Sequence, residues 1–309
     1  MEFLYFLEKL RVPVLNEFML AITTLGEETA FLVIGLIVFW CFSKRLGYYV
    51  MGVGFLGTLA NQFLKITCRV PRPWVVDKNF TILEQAREAA SGYSFPSGHT
   101  QTAVGTFGAI ARCSSKVVVR VVCIVLAVLV ALSRMYLGVH TPADVLVAAA
   151  MAVLFIFVLH PLMLGKKDHT IWVLFGLAFL SVAYLAYMRF WQFSFRVDPY
   201  NLESAIKNAY TMVGCSFGLL MVYPVEQKCI DFPEKAVWWA QLLKVVIGLA
   251  LVLAVKEGLR DALDSMFNGH MIARSVRYFL VVVVAGIIWP LSFRKFAKLG
   301  KKQPARKRK

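Results

Sequence analysis

The sequence predicts an all-α, polytopic transmembrane helical bundle, on three observations. Hydrophobic residues make up 59% of the 309 residues and charged residues 17%, with a mean hydropathy of +0.66, whereas a soluble domain carries about 25% charge. Apolar runs approaching the roughly 20 residues that cross a bilayer as a helix recur along the chain. Short connections between those runs carry basic pairs such as Lys44-Arg45 and Lys166-Lys167, as cytoplasmic loops of membrane proteins do.

Residues 3–25 place Phe3, Leu4, Phe6, Leu7, Leu10, Val14, Leu15 and Phe18 at helical spacing with charges between them. Pro13 should bend or break that run, and an amphipathic segment lying in the membrane interface is expected over 1–28. Nine spans follow, at 29–42, 47–64, 99–112, 117–132, 143–164, 171–188, 205–223, 237–255 and 276–291. The long loop 66–95 holds Pro71, Pro73 and Trp74, and the stretch 84–88 suits a short surface helix. The expected division is an interfacial segment at 1–28, a catalytic core at 29–188, additional helices and outer loops at 189–293, and a basic tail at 294–309.

The net charge of +16 would suit nucleic acid, but no stacking or base-reading module accompanies it. Much of the excess sits beyond the last span, where positive charge marks the cytoplasmic side and meets anionic lipid. No nucleic-acid partner is expected. With nine spans, Lys44, Arg45, Arg112, Lys116, Arg120, Lys166 and Lys167 share the cytoplasmic side, and the N-terminus lies on the extracytoplasmic face.

Cys41, Cys68, Cys113, Cys123, Cys215 and Cys229 lack CxxC spacing, so core thiols are expected rather than a disulfide or a zinc site. Glu2, Glu8, Lys9, Arg11 and Glu17 interrupt the first 26 residues, so no cleavable signal peptide is expected and the first span is the targeting signal. Gly52-Val-Gly54-Phe-Leu-Gly57 fits a dinucleotide fingerprint, but it lies inside a span, where small residues let helices approach closely.

Three clusters carry chemistry: Lys65-Ile-Thr-Cys-Arg-Val-Pro-Arg72-Pro73, Phe95-Pro96-Ser97-Gly98-His99-Thr100, and Ser133-Arg134-Met-Tyr-Leu-Gly-Val-His140-Thr-Pro-Ala-Asp144. Ionisable groups near lipid are costly, which makes them functional candidates. Thr141-Pro142-Ala143-Asp144 has the form of a helix start, with Thr as N-cap and Pro at the first position. His140 then precedes the helix, and Asp144, one turn in, can accept an imidazole N–H and leave the other nitrogen as nucleophile or base. The plainer alternative is a capping carboxylate beside a bystander histidine.

Arg134, where a span emerges, can hold phosphate oxygens bidentately, or it is an interfacial arginine that snorkels. Pro96-Ser97-Gly98 leads into a span whose first N–H groups form an anion site. There Gly98 admits close approach, Ser97 adds a donor, and His99 is either a general acid or a packing histidine. Lys65 and Arg72 add positive charge around transferring oxygens, or simply flank the membrane. Jointly the clusters supply anion binding, a nucleophile, its orienter and an acid.

Together Lys-x6-Arg-Pro, Pro-Ser-Gly-His and Ser-Arg-x5-His-x3-Asp resemble the tripartite signature of the type 2 phosphatidic acid phosphatase (PAP2) superfamily. That superfamily includes lipid phosphate phosphatases, undecaprenyl pyrophosphate phosphatases and glucose-6-phosphatase, and it shares its core with vanadium haloperoxidases. The resemblance covers Lys65 to Asp144 directly and implies a PAP2-like six-helix core, to which the region from Ala205 onward adds further C-terminal spans. It implies that His140 attacks phosphorus to give a phosphohistidine, that Asp144 supports it, and that His99 protonates the leaving group. Lys65, Arg72, Ser97, Gly98 and Arg134 would hold the phosphoryl oxygens, and no metal or other cofactor is implied. The layout with an outward N-terminus is similar to that of glucose-6-phosphatase, an analogy of topology alone. Loops at 189–203 and 256–277 are placed to cover the site, with His270 either an extra contact or an ordinary surface residue.

The expectation is an integral membrane phosphatase acting on a phosphomonoester or diphosphate at the extracytoplasmic face. A lipid substrate such as undecaprenyl diphosphate or a phosphatidic acid is favoured, because the site sits where spans meet the interface. The alternatives are glucose-6-phosphatase-like hydrolysis of a soluble phosphoester and a non-catalytic lipid or anion transporter using the same basic pocket. A vanadate-dependent haloperoxidase is disfavoured by the many spans.

Overall fold

A backbone in hydrocarbon must satisfy its hydrogen bonds internally, so apolar runs of this length fold as helices. The computed structural model describes residues 1–90, 92–191 and 197–299, and contains no strand among them. Its helices are α1 (Glu2–Lys9), α2 (Pro13–Thr23), α3 (Glu28–Ile37), α4 (Lys44–Cys68), α5 (Pro73–Val76), α6 (Gly98–Cys113) and α7 (Val117–Tyr136). There follow α8 (Pro142–Leu164), α9 (Thr170–Phe190), α10 (Pro199–Val225), α11 (Trp238–Gly258), α12 (Arg260–Met266), α13 (Ile272–Val283) and α14 (Phe293–Phe296).

Local chemistry sets the starts. Ser43, Ser97, Thr141 and Asp198 cap α4, α6, α8 and α10 by accepting an N–H of the first turn, which satisfies donors that have no partner within the helix. Pro13 separates α1 from α2, because its ring cannot continue a preceding helix. The stretch 84–88 forms two short 3-10 turns, Glu84–Ala86 and Glu88–Ala90, rather than one helix.

Among the described residues six helical stretches are long and apolar enough to cross a membrane: Val117–Tyr136, Pro142–Leu164, Thr170–Phe190, Pro199–Ile230, Trp238–Met266 and Ile272–Phe296. The pair Pro13–Gly26 and Glu28–Phe42, bent by 59°, makes a seventh if it is one span. The spans expected at 47–64 and 99–112 are not among them. Helix α6 has only 16 residues, and α4 mixes its apolar residues with Thr58, Asn61, Gln62 and Lys65. Both helices are enclosed by their neighbours: Tyr48 to Phe55 on α4 and Thr100 to Ala103 on α6 are buried. That is where polar residues in a membrane protein are tolerated.

The outer helices show the opposite pattern. Exposed residues include Val117, Val118 and Val121 on α7, Leu146 and Phe157 on α8, and Trp172 and Phe179 on α9. Apolar surface on this scale belongs to a chain whose solvent there is lipid. The chain is a multi-pass membrane protein.

Gly54 and Gly57 lie where α4 packs against Phe31 and Gln101, and a methyl group at either would overlap those side chains. The glycine run on α4 thus serves close helix approach. The C-terminal helices are pinned to the core at the end of α4 that carries Lys44. Lys44 meets the buried Glu226 at 2.9 Å. Trp40 donates to the Ala285 carbonyl at 2.9 Å, and Lys244 donates to the Trp40 carbonyl at 2.8 Å. The other end of α4, at Lys65, carries the candidate site.

The tail expected over 294–309 is described as far as Leu299; the remainder lies outside the described residues, as do 192–196 in the outer loop. His270 is exposed, its Nδ1 accepts from the Ile272 N–H at 3.2 Å, and it is not among the residues lining the site cavity.

Candidate active site

The site forms where α4 ends and α6 and α8 begin. The loop between α7 and α8 turns back at Gly138, whose φ of +83° a side chain would strain. A Cβ there would also lie 2.8 Å from Arg11 Nη2. Arg11 fastens this loop from outside, donating from Nε to the Tyr136 carbonyl at 3.1 Å and from Nη1 to the Thr81 carbonyl at 2.9 Å. Val139 and His140 bond back to the Arg134 carbonyl. One short loop therefore fixes Arg134 and His140 relative to each other.

Arg72 is held in extended backbone before Pro73 and is only 5% exposed. Its Nε donates to the Gly92 carbonyl at 3.0 Å and its Nη1 to the Val139 carbonyl at 2.8 Å. The same Nη1 lies 2.9 Å from His140 Nε2. A guanidinium only donates, so this contact requires a lone pair on Nε2 and places the imidazole proton on Nδ1. Burial, and then the charges of Arg72, Arg134 and Lys65, hold the His140 pKa well below the ordinary histidine value. His140 is thereby kept neutral, with the lone pair on the nitrogen beside Arg72. Burial also lowers Arg72 itself, to about 10, against the opposing charge of Asp144.

Asp144 Oδ2 stands 3.5 Å from His140 Nδ1. That is ion-pair range and longer than a hydrogen bond. The close bonds of Oδ2 come from Thr141 N at 2.8 Å and Ser94 Oγ at 2.6 Å. Asp144 and Thr141 form a reciprocal capping box. Asp144 therefore caps α8, and its carboxylate stands near His140 Nδ1, which has no hydrogen-bond partner among the described residues. Ser94, fully buried, was not singled out by the sequence; it precedes the second cluster without a motif position of its own.

Ser97 caps α6, its Oγ accepting from Thr100 Oγ1 at 2.9 Å and from Thr100 N at 3.4 Å. Its own hydroxyl proton is left to donate elsewhere. The Ser97 N–H donates to the Asp144 carbonyl at 3.1 Å, which ties the second cluster to the third. Lys65 Nζ donates to the Tyr93 carbonyl at 2.7 Å. Arg134 is wholly buried and donates from Nη1 to Thr23 Oγ1 at 2.7 Å, while its Nε and Nη2, like His99 Nε2, have no hydrogen-bond partner among the described residues.

A cavity of about 440 Å³ opens among these groups. Lys65, Arg72, Gly98, His99 and His140 line it directly. Ser97, Arg134 and Asp144 stand behind that lining, each bonded to its neighbours as described. Glu27, Glu28 and Thr29, at the start of α3, line the opposite side with Asn61 and Gln62 of α4. Nothing in the sequence linked Thr23, Glu27 or Glu28 to the basic clusters, because the bend between α2 and α3 that brings them in has no local signature. A neutral imidazole nitrogen among three cations and a helix N-terminus is suited to binding a phosphoryl group and attacking it.

The sequence model of the PAP2 superfamily matches residues 42–168. That of the PAP2 superfamily phosphatase transmembrane extension matches residues 210–302. The chain is similar to phosphatidylglycerophosphatase B of Bacillus subtilis (strain 168), 33% identical over 161 residues, 48% of this chain and 75% of that protein. No solved structure matches.

Proposed function

The chain belongs to the PAP2 superfamily, and from that membership we propose hydrolysis through a phosphohistidine on His140, without a metal ion. As a member it is a phosphoric ester hydrolase of the lipid phosphatase type. The observation that carries the proposed mechanism is the 2.9 Å contact between Arg72 Nη1 and His140 Nε2. It supports Nε2 as the nitrogen that carries the lone pair, with a guanidinium beside it to receive phosphoryl oxygens.

In the first step Arg72 Nη1 turns from Nε2 to a phosphoryl oxygen, the freed Nε2 lone pair bonds to phosphorus, and the P–O bond to the leaving group breaks. His99 gives a proton to the departing oxygen. The Nδ1 proton stays on the imidazole, facing Asp144, whose charge stabilises the cationic phosphoimidazole. In the second step His99 takes a proton from water, the water oxygen bonds to phosphorus, and the P–N bond breaks to release inorganic phosphate. Lys65, Arg72, Arg134, the Ser97 hydroxyl and the backbone at Gly98 neutralise the oxygens throughout. Unsatisfied buried donors such as Arg134 Nε and Nη2 each cost about 1–3 kcal/mol, and phosphoryl oxygens are acceptors able to relieve that cost.

The substrate is a lipid phosphomonoester or diphosphate, with phosphatidylglycerophosphate first on the strength of the similar Bacillus protein's name. Phosphatidic acid and undecaprenyl diphosphate stand beside it. The site is assigned to the extracytoplasmic face, because it lies at the end of α4 away from Lys44 and the basic connections. The test is phosphate release by detergent-purified protein in EDTA from these three lipids and glucose 6-phosphate, with His140→Ala beside wild type. Release from a lipid that the substitution abolishes supports the reading, and no release from any substrate would favour an anion-binding or transport role instead.

A further inference from the structure

A second cavity, of about 490 Å³, lies between α3, α4, α10, α11 and α13. It shares Glu28, Thr29 and Thr58 with the cavity that holds His140. Its size falls in the range of ligand pockets, roughly 300–1,000 Å³. Its lining is graded along the helices. It runs from Glu28 to Phe39 along α3 and its π-helical continuation, from Lys207 to Val222 on α10, and from Arg274 to Gly286 on α13 and its continuation. In each case the charged residue is at the end nearer the catalytic cavity, and Arg274 lies within electrostatic reach of Glu28 there. Beyond that rim the lining is almost wholly apolar.

The path from Glu28 to Phe39 covers 11 steps along the helix, a length of about 16 Å at 1.5 Å per residue. One leaflet of a bilayer offers about 15 Å of hydrocarbon, half of the roughly 30 Å core. The slot is therefore charged at its mouth, apolar below, about one leaflet deep, and adjoins the catalytic cavity at Glu28, Thr29 and Thr58.

We propose that this slot, built between the core and the C-terminal extension, receives the hydrocarbon chain of the substrate while its phosphate occupies the cavity at His140. This rests on the lipid phosphatase reading above. A chain moving from the bilayer into an apolar slot gains no hydrophobic free energy, since lipid tails are as apolar as the lining. The slot therefore acts by shape, selecting chain length and branching. The C-terminal helices become a specificity element, and the chemistry stays with the core.

The test compares long-chain phosphatidic acid, a short-chain phosphatidic acid and p-nitrophenyl phosphate as substrates of the full-length protein. Leu253→Trp and Val281→Trp each place a larger side chain in the slot, away from the catalytic groups. Either is expected to lower kcat/KM for the long-chain lipid about 10-fold or more, with p-nitrophenyl phosphate turnover unchanged as the report of an intact site. Equal turnover of the long-chain lipid by both variants and wild type would overturn the proposal.

Since a tryptophan variant can fail to fold, a second measurement uses His140→Ala and a phosphatidic acid with a photoreactive group at the chain terminus. Labelling of α3, α10 or α13 that long-chain phosphatidic acid competes away supports the slot. Labelling confined to the lipid-facing sides of α7 and α9, or labelling of the slot that no substrate displaces, as by a resident structural lipid, overturns it. Failure of the phosphatase reading would show separately, as loss of p-nitrophenyl phosphate hydrolysis by wild type.

Discussion

Arg72 offers the sharpest prediction, because its guanidinium is asked to do two things at once. Its contacts include the carbonyls of Gly92 and Val139 and the Nε2 of His140, at 2.8–3.0 Å. Arg72→Lys keeps the charge but has one nitrogen, which cannot span the Gly92 and Val139 carbonyls and His140 together. Losing one preorganised donor to a transition-state oxyanion costs about 10²–10³ in kcat, or about 2.7–4 kcal/mol. The same loss is expected for Arg72→Lys, with a stability cost of about 1–3 kcal/mol for a carbonyl left unpaired.

Arg72→Gln adds a second effect. Burial lowers His140 first, and the Arg72 charge is the next cause. Removing that charge moves the His140 pKa up, toward the ordinary value. The acid limb of kcat/KM, where protonation removes the nucleophile, should therefore move to higher pH in Arg72→Gln and stay near its wild-type position in Arg72→Lys. The assay is phosphate release from a lipid substrate in mixed micelles across pH, with thermal melting as the check on folding. Wild-type kcat in Arg72→Lys, or identical acid limbs in wild type and Arg72→Gln, would refute the assignment.

Three further outcomes are expected. Ser94→Ala removes the 2.6 Å bond to Asp144 Oδ2; hydrogen bonds to charged groups contribute about 1.5–3 kcal/mol, so kcat/KM should fall about 10–100-fold with KM little changed. Gly138→Ala forces a side chain into φ +83° against Arg11, at a cost of about 1–2 kcal/mol for the left-handed backbone alone, read as a lower Tm. Lys44→Ala strips the buried Glu226 of its 2.9 Å partner at the end of the bundle remote from His140. It should destabilise by about 3–5 kcal/mol while the folded fraction keeps wild-type kcat.

Most of the site was legible because its residues sit at fixed spacings beside strong local signals. Thr141-Pro142 announces the start of α8, so His140 and Asp144 fall one turn apart whatever the rest of the chain does. Ser97-Gly98 announces α6 in the same way. The span count was less legible. The runs over α4 and α6 read as spans although α6 has only 16 residues and α4 carries polar residues that set it apart from the helices facing lipid, and the bent pair α2 and α3 reads equally as an interfacial segment plus a span. Partners reached across the tertiary fold had no sequence signal at all. Thr23 on Arg134 is 111 residues away and Ser94 on Asp144 is 50, and the slot between core and extension depends on five helices converging.

The central claim is a covalent bond between phosphorus and His140 Nε2. Its most direct measurement is rapid alkaline quenching of the enzyme turning over a radiolabelled lipid phosphomonoester, followed by digestion and mapping of acid-labile label. The account predicts stoichiometric label on the peptide containing His140 in wild type and none in His140→Ala. Label on another residue, or phosphate release that survives His140→Ala, would contradict it.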